Sequence, residues 1–142
     1  MSHLLTLVTG SAAALLALSA GANGQTPAPV RPHVIAITLV ERPGPKPYAF
    51  EPATSIAQPG DTIRFVEGAP VLHNVRFTKQ APGAKLGGAA VGPYLSTKGQ
   101  TYDLVVDKRF AMGTYEFVCD PHAAIGMKGT LIVKSGTASD LK

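Results

Sequence analysis

At 142 residues, 45% of them hydrophobic, the chain is one domain's worth of polypeptide. Thirteen Lys and Arg against nine Asp and Glu give a formal charge of +4. The basic residues (among them Arg64, Arg76, Lys79, Lys85, Lys98, Lys108, Arg109, Lys128 and Lys134) are scattered without an aromatic-rich cluster, which argues against nucleic acid and for an acidic protein surface as partner.

The chain opens with an uncharged Leu/Ala-rich run, Leu4 to Ala20, followed by small residues Ala20-Gly21-Ala22-Asn23-Gly24. This reads as a signal peptide over residues 1–24, cut after Ala22 or Gly24, although no Lys or Arg precedes the apolar run. About 17 apolar residues is the short limit for spanning a bilayer, and no basic stop-transfer flank follows, so the mature form is expected to have no membrane span. "QTPAPVRP", residues 25–32, is an extended proline-rich tether. A folded domain is expected over 33–135, with a polar tail over 136–142.

Strand signals then recur. His33 to Arg42 is rich in β-branched residues and ends at "RPGPKP", whose prolines lack the donor a ladder needs. "DTIRFVE" (61–67), "HNVRFT" (73–78), "TYDLVVD" (101–107), "TYEFVC" (114–119) and "GTLIVKS" (129–135) alternate apolar and polar positions between turn residues. No long window beyond the leader carries a helical stripe. Ala81 to Lys98 holds four glycines and two prolines and reads as a crossover with room for one helical turn. Short strands at this spacing predict an all-β sandwich or small barrel.

The single cysteine cannot form an internal disulfide, so in an exported protein it is buried or bound. Simple burial as a small hydrophobe is the plain expectation for any lone Cys. In "TYEFVCDPHAAIGM" the alternation puts Tyr115, Phe117 and Cys119 on one face, with Glu116 and Val118 on the other. Fully extended, Cys119 and His122 would stand ~10 Å apart. The turn-prone Asp120-Pro121 can bring them together, and Gly126 permits a second reversal returning Met127. A fourth donor, His73, opens its own strand upstream, and in a sandwich neighbouring strand ends cluster. Two imidazoles, a thiolate and a thioether are the donor set of a trigonal His2Cys copper site with a long axial Met. Each alone is ordinary: a strand-end His is usually a surface or satisfied core residue, Met127 usually packing, and His33 is left as a polar residue beside the tether.

The segment CDPHAAIGMKGT, residues 119–130, resembles the ligand loop of plastocyanins and pseudoazurins in the cupredoxin family. "YAFEPATSIAQPGDTIRFVEGAPVLHNVRF" is similar to the family's aromatic-Pro strand, its P-G-D-T turn and its His-Asn pair. The resemblance covers about residues 33–135. It implies a Greek-key β-sandwich of seven to eight strands in two sheets, holding one type 1 copper through His73, Cys119, His122 and Met127. Asn74 would stand just outside the ligands, tying the His73 strand to the Cys119 loop. Val118 occupies the place before the ligand Cys where plastocyanins usually have Tyr, and the acidic patches of plant plastocyanins have no counterpart. Both departures count against a photosynthetic partner.

The implied function is a soluble, monomeric, exported one-electron carrier, cycling Cu(I) and Cu(II), in the periplasm or extracellular space ahead of the thylakoid lumen. The exposed edge of His122 is the expected electron port. Pro121, Ala123, Ala124 and Ile125, with Pro70, Val71 and Leu72, would form an apolar docking patch for a transient redox partner. Lys128 would steer an acidic partner or simply be solvated. Copper storage or delivery is the alternative, disfavoured by scarce methionine (Met1, Met112 and Met127). A Cys–His hydrolase is disfavoured because Cys119 ends an apolar strand, leaving no accessible nucleophile. No enzymatic activity is expected.

Overall fold

The structure is a computed structural model that describes residues 32–136. The leader, the proline-rich stretch up to residue 31 and the tail from residue 137 lie outside the described residues. Eight strands form: β1 Val34–Glu41, β2 Tyr48–Glu51, β3 Thr54–Ala57, β4 Thr62–Glu67, β5 Arg76–Lys79, β6 Thr101–Val105, β7 Gly113–Val118 and β8 Lys128–Val133. They pair as two four-stranded sheets, β2-β1-β4-β6 and β3-β8-β7-β5. The β1–β4 and β3–β8 pairs are parallel and the rest antiparallel. The expected all-β sandwich of seven to eight strands in two sheets is what forms.

Period-two alternation explains which faces meet. β4 buries Ile63 and Phe65, β1 buries Ile37 and Leu39, β7 buries Tyr115 and Phe117, and β8 buries Leu131 and Val133. Three phenylalanines stitch the sheets together. Phe117 meets Phe50 at 4.8 Å and Phe65 at 5.5 Å between ring centroids, both edge-to-face. Each fully buried ring contributes roughly 2–3 kcal/mol. The ring of Phe117 also requires a glycine on the adjacent strand, since a Cβ at Gly129 would lie 2.4 Å from its Cε2. This packing fixes β7, and the end of β7 delivers the cysteine.

Three strand boundaries depart from the sequence pattern. β2 and β3 are four-residue strands on either side of Pro52, too short for alternation to mark. The run expected at 73–78 begins as a strand only at Arg76, and His73 instead makes an isolated antiparallel bridge with Leu95. The crossover at 81–98 contains one 3-10 turn, Gly87–Ala90, buries Leu86 and Leu95, and returns along the segment that carries His73. Among the described residues no helix is long and apolar enough to cross a membrane.

Candidate metal centre

β7 ends at Val118, and Cys119 continues its alternation inward with no exposure. Residues Asp120–Ile125 then coil into a 3-10 turn with Pro121 in its first positions, where the missing N–H is not needed. The His122 N–H donates to the Cys119 carbonyl at 3.1 Å, which folds the imidazole back over the thiol. Gly126 follows at φ +90°, a left-handed conformation that glycine adopts without penalty. The chain then closes on itself: Met127 N–H donates to the His122 carbonyl at 3.1 Å and Cys119 N–H to the Met127 carbonyl at 3.2 Å. Met127 is fully buried.

The result brings Cys119 Sγ to 3.5 Å from His122 Nδ1. One ion bound at ~2.0 and ~2.3 Å to nitrogen and sulfur in a near-trigonal arrangement would hold them roughly 3.5–3.7 Å apart. The His122 ring is stacked on Tyr48, centroids 3.8 Å apart and 19° from parallel. The residue remains part-exposed.

His73 comes from the segment between β4 and β5. Its backbone is clamped to Leu95 by two hydrogen bonds, 2.9 and 2.8 Å, and its ring lies 4.9 Å from that of His122, in a T arrangement. Its Nδ1 is 3.0 Å from each carboxylate oxygen of Glu67, with both side chains fully buried. Its Nε2 is buried without a partner. The donors therefore fall into two pairs, Cys119 with His122 and His73 with Glu67. Among the described residues no three His, Cys, Asp or Glu groups converge into one preformed cluster.

Asn74 ties these segments together. Its Nδ2 donates to Asp120 Oδ2 at 2.7 Å, and the Asp120 backbone N–H donates back to Asn74 Oδ1 at 2.8 Å. Arg76 Nε completes the carboxylate's shell at 2.5 Å. Burial pushes the Cys119 thiol above its ordinary value; backbone N–H groups of Asn74 and His122 partly oppose this, while Asp120 and Glu67 reinforce it. A bound cation reverses that balance by taking the thiolate. Burial, then the neighbouring His73, pulls His122 below its ordinary value, with Glu41 and Glu67 opposing, so its lone pair is available near neutrality. Soft sulfur and imidazole donors, a fitting Sγ–Nδ1 spacing and an orphaned buried Nε2 suit copper.

The model of a family described as copper binding proteins, plastocyanin/azurin family, matches residues 39–134. The chain belongs to that family. This cupredoxin is 39% identical over 88 residues to plastocyanin of Ulva prolifera, covering 61% of this chain and 87% of that one. Its fold is similar to oxidized plastocyanin of Dryopteris crassirhizoma, with 27% identity and a TM-score of 0.56 over 70% of this chain and all of that one. It is also similar to pseudoazurin of Methylobacterium extorquens AM1, with 30% identity and a TM-score of 0.51 over 74% and 78% of the two chains. As a member of the plastocyanin/azurin family the cupredoxin binds one copper and is a blue copper electron carrier, not an enzyme.

Around the site, Pro121, Ala123, Ala124, Ile125 and Pro70 are exposed, Leu72 is half-exposed at 49%, and Val71 is partly covered. Sequence reasoning missed the roles of four residues around the cupredoxin's site. Glu67 was legible in part, because "TIRFVE" places it in phase with the core positions Ile63 and Phe65, where a carboxylate needs a reason to be. Tyr48 and the Asp120–Arg76 pair had no local signal, since their partners lie on other strands.

Proposed function

We propose that the cupredoxin holds its copper through His73, Cys119, His122 and Met127 and works as an exported, monomeric one-electron carrier. The observation that carries this reading is the 3.5 Å approach of Cys119 Sγ to His122 Nδ1 inside a loop closed by its own backbone. Bound copper supplies a Cu(II)/Cu(I) couple.

The protein's residues supply rigidity, exclusion of water and a route. Cys119, His73 and Met127 are fully buried, so solvent cannot enter the donor set from their side. The backbone bonds between Cys119, His122 and Met127, with the Asn74–Asp120 clamp, hold the donors in one arrangement for both oxidation states, which keeps reorganisation small. His122 alone of the four reaches the surface, and its edge is the port for the electron. Pro121, Ala123, Ala124, Ile125 and Leu72 surround it with apolar surface suited to brief docking. Lys128, exposed at the start of β8, and the net positive charge favour an acidic partner.

Copper(II) added to the purified chain develops an intense visible thiolate-to-copper band, and Cys119→Ser loses it without unfolding. A reversible voltammetric wave accompanies the band. No band overturns the site, and a band without a reversible wave transfers the protein to copper storage or delivery.

A further inference from the structure

We propose that Arg76 and Asp120 are a charge-compensating pair for the metal site: the carboxylate beside Cys119 favours the oxidised state, and the guanidinium bound to it offsets part of that pull. The inference rests on the copper-site reading above.

Asp120 follows Cys119 directly, and its backbone N–H is tied to Asn74 Oδ1 at 2.8 Å, so the carboxylate cannot swing away from the site. Asn74 Nδ2 donates to one of its oxygens at 2.7 Å and Arg76 Nε to the other at 2.5 Å. Donors on both oxygens keep the group ionised near neutral pH. Its side chain is 28% exposed, the least of any carboxylate paired with Arg or Lys among the described residues. Water therefore screens this charge less than the others. The charge also reaches the sulfur, since Asp120 opposes ionisation of the Cys119 thiol. The same field favours Cu(II) over Cu(I), because oxidation leaves one more positive charge at the site.

Arg76 is placed by the sheet. It opens β5 in register with Val118, the residue before Cys119, and bridges Val91 on its other side. Asn74 and Arg76 are two positions apart, and both grip the same carboxylate. The two bonds from Asn74 already fix the loop, so what Arg76 adds is charge. Asp120 and not Arg76 is among the charges that act on the thiol, so the offset is partial.

Voltammetry of the copper-loaded chain tests this on the wild type, Arg76→Gln, Asp120→Asn and the double variant. Arg76→Gln is expected to lower the potential, Asp120→Asn to raise it by more, and the double variant to fall between the two. Arg76→Lys keeps the charge without the guanidinium fork and is expected to stay near the wild type. An unmoved potential in either single variant, shifts of one sign in both, a double variant outside their span, or Arg76→Lys behaving like Arg76→Gln overturns the compensating charge. Urea unfolding of the metal-free chains tests the pair itself. The double variant should lose less stability than the two single variants combined; additive losses mean that the groups do not interact and overturn the pair. A wild-type chain that develops no visible band sinks the copper site and the tuning with it, an outcome distinguishable because the metal-free cycle still reports on the pair.

Discussion

Asn74 and Asp120, 46 positions apart, hold each other through two hydrogen bonds of 2.7 and 2.8 Å that run in opposite directions. The pair joins the segment after His73 to the residue after Cys119. The segments that carry His73 and Cys119 are therefore held in register by a side-chain pair from distant parts of the chain.

Replacing Asn74 by Ala removes both bonds and leaves the Asp120 N–H without its acceptor. The expected loss is about 2–3 kcal/mol of unfolding free energy, read by urea denaturation of the metal-free chain. Thiol-reagent labelling of Cys119 should accelerate in parallel, because the loop covering it loses its tie. A variant as stable and as slowly labelled as the wild type contradicts the clamp.

The Asp120 carboxyl is held below its ordinary value, first by the Asn74 side chain and then by Arg76. Its folded value lies below the unfolded one, near 3.8, so its stabilising contribution is complete above that pH and is lost as pH falls through the folded value. Asp120→Asn should thus be less stable than wild type near neutral pH, with the gap closing as the solution is taken below about pH 4. Urea unfolding at a series of pH values measures the gap, and one that widens in acid reverses the sign.

Tyr48 covers one face of His122 at a 3.8 Å centroid separation. Removing it in Tyr48→Ala exposes the imidazole, and since burial is the first cause of His122's depressed value, that value should move up toward the ordinary 6.5. An NMR titration of the metal-free variant reads this at the His122 ring proton. The lost ring contact should cost about 1 kcal/mol of stability. An unmoved titration would mean that the neighbouring His73, rather than burial, sets the value.

Gly126 sits at φ +90°, and the space a Cβ would take there has no atom within 4 Å, so Gly126→Ala meets no clash and suffers only the left-handed backbone penalty. That penalty is about 1–2 kcal/mol, and Gly126→Asn should recover part of it. Equal stability of the two variants would place the cost elsewhere than in backbone conformation.

Much of the fold was legible because alternation is a local property. Tyr115, Phe117 and Cys119 read as an inward face and are buried to the last residue. The short strands flanking Pro52 were not legible, since four residues carry too little pattern. Nor was the late start of β5: "HNVRFT" alternates properly, but Leu95 captures the His73 backbone before the ladder to β7 begins.

The amino-acid order alone determined the kind of chemistry available, because donor softness belongs to residue types and the spacing of Cys119, His122 and Met127 allows one loop to gather them. Tertiary structure decided what local spacing cannot encode. It set Asn74 against Asp120, stacked Tyr48 on His122 and put Glu67 behind His73. Those relationships join strands far apart in the chain, and they depend on sheet register and side-chain rotation, which only the assembled core defines.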